Sequence, residues 1–166
     1  MPITIERGRV ADAQVIAEMS RRLVETGLPW TWTPARVARH LGDRESMVLV
    51  ARSGPAIAAF AIMRFGAEAA HLNLLAVDNT FQRRGLGRWL VNWLEKSALT
   101  AGVLTIGLEV RARNPVGLLF YRQLGYAQAA RLPRYYSGRE DAIRMVRDRR
   151  VPGARVSGST STAGAA

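Results

Sequence analysis

Residues 77–88 run Val77-Asp78-Asn79-Thr80-Phe81-Gln82-Arg83-Arg84-Gly85-Leu86-Gly87-Arg88. In this stretch two glycines flank one apolar residue where a strand pattern gives way to a helical one. Backbone N–H groups at a helix start lack intrahelical acceptors, and the helix dipole adds about half a positive charge. Such a turn is an anion site, most naturally for a diphosphate. The alternative is a tight strand–helix turn whose glycines serve packing. The arginines at positions 83, 84 and 88 favour the phosphate site.

Working outward from this turn, hydrophobic periodicity predicts four helices. The helix after Gly85 has its apolar residues at helical spacing and stops at Ala101-Gly102. Asp12 is the predicted N-cap of an earlier helix, which ends near Gly27 and has an apolar face of Val15, Ile16, Met19 and Leu23. Thr33-Pro34 opens a short helix to about His40, and Asn114-Pro115 opens one through Leu124.

Alternating residues predict strands on both sides of these helices. The predicted strands are residues 2–6, 46–52, 56–65, 70–77, 104–111, 126–131 and 141–147. The order β-α-α-β-β-β-α-β-α-β-β predicts an α/β fold, with a central mixed sheet of six to seven strands flanked by about four helices. We expect the β-α-β unit in the middle to be a right-handed parallel crossover.

The length of 166 residues predicts one domain over residues 1–150, and the small and polar residues of 151–166 predict a disordered tail. The N-terminus lacks the pattern of a signal peptide, and no apolar run reaches the ~18 residues that a membrane span needs. There is no cysteine, which excludes disulfides, thiolate metal sites and a cysteine nucleophile. These features fit a cytoplasmic protein, and with two histidines we predict no metal site.

The formal net charge is +11, and Lys96 is the only lysine among 24 basic residues. A phosphate-rich partner, either a nucleotide cofactor or nucleic acid, would explain this arginine excess. A genome-wide codon bias toward arginine would explain it equally well. Charge alone therefore assigns no function.

Gln82-x-x-Gly85-x-Gly87 resembles the pyrophosphate signature of the GNAT acetyltransferases, and it is neither a Walker loop nor a G-x-G-x-x-G turn. The likeness extends over roughly residues 70–147, whereas the earlier half matches mainly in the order of its elements. It includes the preceding strand, a Leu108-Glu109-Val110-Arg111 segment and a Tyr121-Arg122-Gln123-Leu124-Gly125 segment. Within this superfamily the chain looks most like the bacterial enzymes that acetylate the N-terminal alanine amine of a ribosomal protein. The resemblance implies the acyl-CoA N-acyltransferase fold and acetyl-CoA as the cofactor.

The resemblance also implies a binding role for two segments. Backbone groups of Leu75, Ala76 and Val77 would pair with the pantetheine arm, and an amide there would polarise the acetyl carbonyl. The diphosphate would bind the turn formed by Gln82, Arg83, Arg84, Gly85, Leu86, Gly87 and Arg88. Asn114 often contacts the cofactor in this family, and it is also a good helix N-cap before Pro115. The two roles are compatible.

By the same resemblance, Glu109 is the general base and Tyr121 is the general acid. Direct transfer needs a neutral amine and a proton for the departing thiolate. Glu109 lies on the strand face opposite Leu108 and Val110, and it would act directly or through water. A salt bridge to an arginine is the structural alternative for Glu109, and a half-buried core position is the alternative for Tyr121. His71 is the only other plausible base, although a polar strand residue is the simpler interpretation.

The acceptor slot is predicted from aromatic residues. The Arg131-to-Ile143 stretch resembles the ending of the ribosomal-protein enzymes, and Leu28-Pro29-Trp30-Thr31 resembles their substrate loop more weakly. Trp30, Trp32, Tyr135 and Tyr136 would line the slot. The alternative is an ordinary aromatic cluster that closes the sheet.

Three functions are therefore weighed. The first is acetylation of a protein or peptide N-terminal α-amine, which is easier to deprotonate than lysine. The second is acetylation of a small amine such as an amino acid, polyamine or aminoglycoside, because Trp32 and the non-acidic Ala69-to-Leu72 stretch depart from the peptide enzymes. The third is an arginine-rich nucleic-acid module, which would leave Glu109 and Tyr121 without a role. We expect a monomer or dimer with no membrane partner, and contact with nucleic acid only through a ribosomal substrate.

Overall fold

The computed structural model describes residues 2–150, so the predicted tail lies outside the described residues. The seven strands are β1 Ile3–Arg7, β2 Ser46–Ser53, β3 Ala56–Phe65, β4 Ala69–Val77, β5 Thr105–Arg111, β6 Ala127–Tyr136 and β7 Glu140–Asp148. The four helices are α1 Ala13–Leu23, α2 Pro34–Gly42, α3 Leu86–Thr100 and α4 Pro115–Gln123. Short 3-10 turns occupy Val10–Asp12 and Asn79–Phe81. None of these helices is long and apolar enough to cross a bilayer.

The strands are hydrogen-bonded in the order β1-β2-β3-β4-β5-β7-β6, which confirms the predicted seven-stranded mixed sheet. The described residues divide into two compact units. The first unit runs up to Phe65 and resumes at Leu72–Thr100. The second unit contains Gly66–His71 and continues from Ala101.

In the first unit, α1 and α2 bury an apolar face against the antiparallel β1-β2-β3 strands. Ile16, Val37 and Phe60 are completely buried there. The helix α2 begins as predicted, because the Thr33 hydroxyl accepts a hydrogen bond from the Arg36 amide at 3.3 Å and Pro34 follows it.

Two predictions for α1 were wrong. Val15 is exposed, since the buried stripe runs through Ala13, Ile16 and Ala17 instead. Asp12 makes no side-chain cap on α1. Its carboxylate accepts from the Arg9 amide at 2.7 Å and pairs with Arg52 at 2.6 Å. An ion pair therefore takes the place of the expected cap.

In the second unit, β5 and β6 each pair antiparallel with β7. Along β5 the burial alternates, so that Ile106, Leu108 and Val110 lie in the core and Glu109 lies on the other face, as predicted. The strand β6 is longer than predicted and continues to Tyr136. Its pairing with β7 shifts between Leu132 and Tyr136, where Pro133 interrupts the ladder and Arg134 adopts a φ of 53°.

Candidate functional site

The glycine turn follows β4 in the first unit and is tied down by side-chain hydrogen bonds. The Asp78 carboxylate accepts from the Thr80 amide at 3.1 Å and from its hydroxyl at 2.9 Å. The Gln82 side chain donates to the Val77 carbonyl and to the Asn79 side-chain oxygen, both at 3.1 Å. Gln82, which the resemblance places at the phosphate, therefore also supports the turn.

The backbone of this turn presents free amides at the start of α3. Arg83 and Gly85 both adopt left-handed conformations, with φ of 65° and 78°. The Trp89 amide donates to the Gly85 carbonyl at 3.0 Å, which leaves the amides of the intervening residues 86–88 without an intrahelical acceptor. A Cβ built on Gly85 meets nothing within 4 Å, so the space in front of the turn is open.

The charges around the turn suit an anion. The first turn of α3 contains no acidic residue. The side chains of Arg83, Arg84 and Arg88 are exposed, and the Arg84 guanidinium lies 5.3 Å from the Phe81 ring centre. Free amides, a helix N-terminus and three arginines form a donor set that fits a diphosphate.

Beside the turn, β4 carries an unsatisfied acceptor that sequence reasoning missed. Leu75 and Val77 lie on the half-buried face of the strand, whereas Ala76 is buried. Asn73 shares the face of Leu75, and its side-chain oxygen is buried with no hydrogen-bond partner among the described residues. A buried acceptor without a donor costs about 1–3 kcal/mol, so a bound N–H group would stabilise this position. This oxygen could be identified only from the solvent exposure of each atom in the structure.

Glu109, the predicted base, lies in a cluster of donors in the second unit. One carboxylate oxygen, Oε1, lies 2.6 Å from His71 Nε2 and accepts from the Tyr135 hydroxyl at 3.3 Å. The other oxygen accepts from Arg144 Nε at 3.0 Å. Arg144 is the direct partner of Glu109 in the register between β5 and β7. Both structural alternatives, the salt bridge for Glu109 and the polar contact for His71, are thus present in one cluster.

This cluster keeps Glu109 ionised. Burial of the side chain, which is only 7% exposed, acts to raise the pKa of Glu109. Hydrogen bonds from His71 and Arg144, together with the positive charge of Arg144, outweigh burial, and the pKa of Glu109 lies below its usual value. The carboxylate is therefore negative at neutral pH.

Tyr121, the predicted acid, lies on α4. This helix starts at Asn114, whose side-chain oxygen accepts from the Gly117 amide at 3.0 Å, so the predicted N-cap is confirmed. The Tyr121 ring is half-buried and makes edge contacts with Phe120 and Tyr126. Burial, followed by the neighbouring Tyr136, raises the pKa of Tyr121 above its usual value. Its hydroxyl therefore remains protonated at neutral pH.

The four aromatic residues predicted for the acceptor slot differ in exposure. Trp32 is 7% exposed and packs in the core of the first unit, with the Arg36 guanidinium 3.8 Å from its ring centre. A buried indole cannot line an open slot, so the structure argues against Trp32 as a substrate contact. Tyr135 is exposed, and its ring is perpendicular to that of Tyr136 at a centroid distance of 5.0 Å.

A buried carboxylate that the sequence reasoning missed fixes the loop of the tryptophans. Glu25 accepts from the Thr31 amide at 2.8 Å, from the Thr31 hydroxyl and from the Trp32 amide at 3.3 Å. The Trp30 indole N–H donates to the Ala17 carbonyl at 3.1 Å. This loop is therefore held by the Glu25 carboxylate and by the contact of Trp30 with α1, and the Trp30 ring itself is partly buried against the core of the first unit.

Comparison with known proteins identifies the family. Residues 17–126 match the model of the acetyltransferase (GNAT) family. A ribosomal protein bS18-alanine N-acetyltransferase of Salmonella typhimurium is 46% identical over 92 residues, which are 54% of this chain and 62% of that protein. The Escherichia coli protein of the same description is 38% identical over 117 residues, which are 69% of this chain and 78% of that protein.

The fold agrees with the sequence comparison. The crystal structure of the ribosomal-protein-S18-alanine N-acetyltransferase from Escherichia coli superposes with a TM-score of 0.78 at 31% identity. The superposition covers 92% of this chain and 97% of that one. Together with the glycine turn at the start of α3, these matches confirm the predicted resemblance, and the chain belongs to the GNAT family of acetyltransferases.

Proposed function

We propose that this chain transfers the acetyl group of acetyl-CoA to the N-terminal α-amine of a protein, with a ribosomal protein as the acceptor. The observation that carries the proposal is the 38% identity over 78% of the Escherichia coli protein, which is described as an acetyltransferase of a ribosomal-protein alanine. Because the proposed donor and acceptor are both cytoplasmic molecules, we place the reaction in the cytoplasm.

The proposed donor site is the turn at the start of α3. The amides of residues 86–88 and the side chains of Arg83, Arg84 and Arg88 bind the diphosphate of the coenzyme. The backbone of Leu75 to Val77 pairs with its pantetheine arm, and the Asn73 side-chain oxygen accepts an N–H group from a bound ligand. Asn114 binds the coenzyme through its side-chain amide nitrogen, since its oxygen already accepts the capping hydrogen bond of α4. Acetyl-CoA supplies an acetyl group activated as a thioester.

The proposed acid and base lie in the second unit. The cluster of Glu109 is the basic centre that takes up the ammonium proton, and the protonated Tyr121 hydroxyl donates a hydrogen bond to the departing sulfur. Tyr135 and Tyr136 contact the acceptor peptide. An α-amine has a pKa near 8 and lysine one near 10.4, so deprotonating lysine costs about 3 kcal/mol more. A single carboxylate–histidine centre is therefore better suited to an N-terminus.

One reason to consider a small-molecule acceptor has a structural explanation. Trp32 departs from the substrate loop of the ribosomal-protein enzymes, but it belongs to the core that joins α1 and α2. Its presence therefore reflects packing and does not point to a different acceptor.

An acetylation screen tests the proposal. The purified protein and acetyl-CoA are incubated with peptides that differ only in their first residues, with the same peptides blocked at the N-terminus but carrying lysine, and with amino acids, polyamines and aminoglycosides. We expect acetylation of free N-termini, with an alanine start preferred and blocked peptides inert. Acetylation of the small amines alone would replace this proposal with the second function.

A further inference from the structure

The carboxylate of Glu109 is poorly placed to receive a proton from substrate. Both of its oxygens already accept hydrogen bonds, from His71 and Tyr135 on one side and from Arg144 on the other. Its side chain is 7% exposed, whereas that of His71 is 42% exposed. A base must come within hydrogen-bond reach of the proton it removes, and here the accessible member of the pair is the imidazole.

The hydrogen bond between the two side chains also fixes which nitrogen of His71 carries the proton. An ionised carboxylate can only accept, so Nε2 of His71 donates to Glu109 Oε1 across their 2.6 Å contact. In a neutral imidazole the other nitrogen then bears a lone pair. Within residues 2–150, Nδ1 of His71 has no hydrogen-bond partner. An imidazole is also a stronger base than a carboxylate by about two pKa units.

We propose that His71 is the general base of the acetyl transfer and that Glu109 is its positioning residue. The inference rests on the proposed function and assigns the proton to a specific atom. His71 Nδ1 takes one proton from the ammonium of the acceptor, and Glu109 holds the ring in the required tautomer and stabilises the imidazolium, as a carboxylate does in hydrolase triads.

The step balances in atoms and electrons. The amine lone pair freed by the transfer forms the bond to the acetyl carbon. The carbon–sulfur bond breaks, and the sulfur leaves with the electron pair. The newly bonded nitrogen loses its second proton to solvent. The sulfur accepts a hydrogen bond from the Tyr121 hydroxyl and takes its proton from solvent, and His71 returns its own proton to solvent, so that one proton is released overall.

The charges around the pair are compatible with a protonated intermediate. Glu109 on β5 is negative, Arg144 on β7 is positive, and Tyr135 on β6 donates to the carboxylate. Tyr136 on β6 stays neutral, because burial and then the charge of Glu109 raise its pKa. When His71 is protonated, the formal charges of Glu109, Arg144 and His71 therefore add up to +1.

The decisive experiment measures kcat/KM against pH for the wild type and for His71→Gln, with the best acceptor from the screen. We expect the variant to lose about 10²- to 10⁴-fold near pH 6.5. The loss should shrink above pH 8, where the α-amine deprotonates unaided. In His71→Ala, added imidazole should restore part of the rate. His40→Gln, which changes the other histidine, is the matched control and should keep the wild-type profile.

The proposal is overturned if His71→Gln stays within about threefold of wild type while Glu109→Gln is inactive, since the carboxylate would then act alone. It is equally overturned if imidazole has no effect on a folded His71→Ala protein.

A second measurement is independent of turnover. The sequence contains two histidines, so ¹⁵N spectra of the imidazole rings can be assigned from His71→Gln alone. We expect His71 to carry its proton on Nε2 in the wild type and to lose this fixed tautomer in Glu109→Gln. A ring protonated on Nδ1 would overturn the inference. If the screen finds a different amine acceptor, the proposed function fails, but the same kinetic and spectroscopic tests apply to that acceptor.

Discussion

At the scale of single residues, the Tyr121 hydroxyl is a hydrogen-bond donor more than an acid. Burial raises its pKa above the usual value near 10, whereas an ordinary thiol has a pKa near 8.5. Complete transfer of its proton to a thiolate is therefore uphill in free energy. Among residues 2–150 this hydroxyl has no hydrogen-bond partner, so it is available to stabilise charge that develops on a departing sulfur.

Tyr121→Phe removes this donor and keeps the ring contacts with Phe120 and Tyr126. We expect kcat to fall by about 10²- to 10³-fold, as for the loss of one donor to a developing anion, with an unchanged dissociation constant for acetyl-CoA and an unchanged urea midpoint. Steady-state kinetics with calorimetry on the same preparation check this outcome. A loss of kcat smaller than about threefold would reduce Tyr121 to a packing residue.

The same scale shows what a sequence can predict about a site. Alternation along β5 correctly placed Glu109 on the face opposite Ile106 and Val110. Its partners were not predictable, because Arg144 meets Glu109 through the register of β5 and β7, and a one-residue slip would remove that contact. Tyr135 reaches the carboxylate beyond an irregularity in β6 that no periodicity encodes. Residues with catalytic side chains can be identified from the sequence, but their contacts depend on the register between strands.

At the scale of elements, the turn before α3 combines a strained conformation with open space. Gly85 has a φ of 78°, which costs an L-residue about 1–2 kcal/mol. Since an added Cβ meets no protein atom within 4 Å, Gly85→Ala introduces no internal clash. The new methyl group instead enters the open space beside the turn that precedes α3.

We therefore expect Gly85→Ala to lower the free energy of unfolding by about 1–2 kcal/mol and to weaken acetyl-CoA binding by tenfold or more. Gly102→Ala is the matched control, because Gly102 follows the other end of α3 with a φ of 81° and equally open surroundings. It should lose similar stability and bind acetyl-CoA as the wild type does. Calorimetric titration with acetyl-CoA separates the two variants, and equal affinities would contradict the diphosphate site.

The elements themselves were predictable because local patterns encode them. Thr33-Pro34 and Asn114-Pro115 supply caps that the structure confirms. Errors appeared where a tertiary contact replaced a local one. Asp12 forms an ion pair with Arg52 and therefore does not cap α1. Trp32 lies in a loop that resembles a substrate-binding loop, but its side chain is buried in the core. Arg52 is 40 residues away from Asp12 in sequence, so the contact left no local signal.

At the scale of the whole molecule, the arginine excess has a structural component. Eight carboxyl groups of the described residues have a lowered pKa, namely Glu6, Asp12, Asp43, Asp78, Glu109, Glu140, Asp141 and Asp148. Each of them forms an ion pair with an arginine. Many of the arginines therefore serve the fold, which weakens the argument from net charge to a nucleic-acid partner.

Because of these ion pairs, the free energy of unfolding decreases as the pH is lowered. Unfolded Asp and Glu titrate near 3.8 and 4.5, and the folded groups titrate lower, with hydrogen bonds from Arg150 lowering the pKa of Asp148 to about 2. The unfolded chain therefore binds more protons than the folded chain below about pH 5. The stabilisation is fully present above that pH and is lost as the pH falls through the folded values. Because burial lowers the pKa of His40 in the folded protein, we expect the urea midpoint to fall slightly from pH 7 to pH 5, and the carboxylates then make it fall more steeply toward pH 3.

Arg52→Gln tests the cause, because Arg52 pairs with both Glu6 at 2.7 Å and Asp12 at 2.6 Å. Without the guanidinium, the pKa of each carboxyl should return toward its usual value. The variant should then have a lower urea midpoint than the wild type at pH 6, and the difference should shrink toward pH 3, where the wild-type carboxylates are also becoming protonated. A difference that stays constant or grows on acidification would mean that Arg52 stabilises the fold through packing of its side chain, and that these ion pairs do not set the acid limit of the protein.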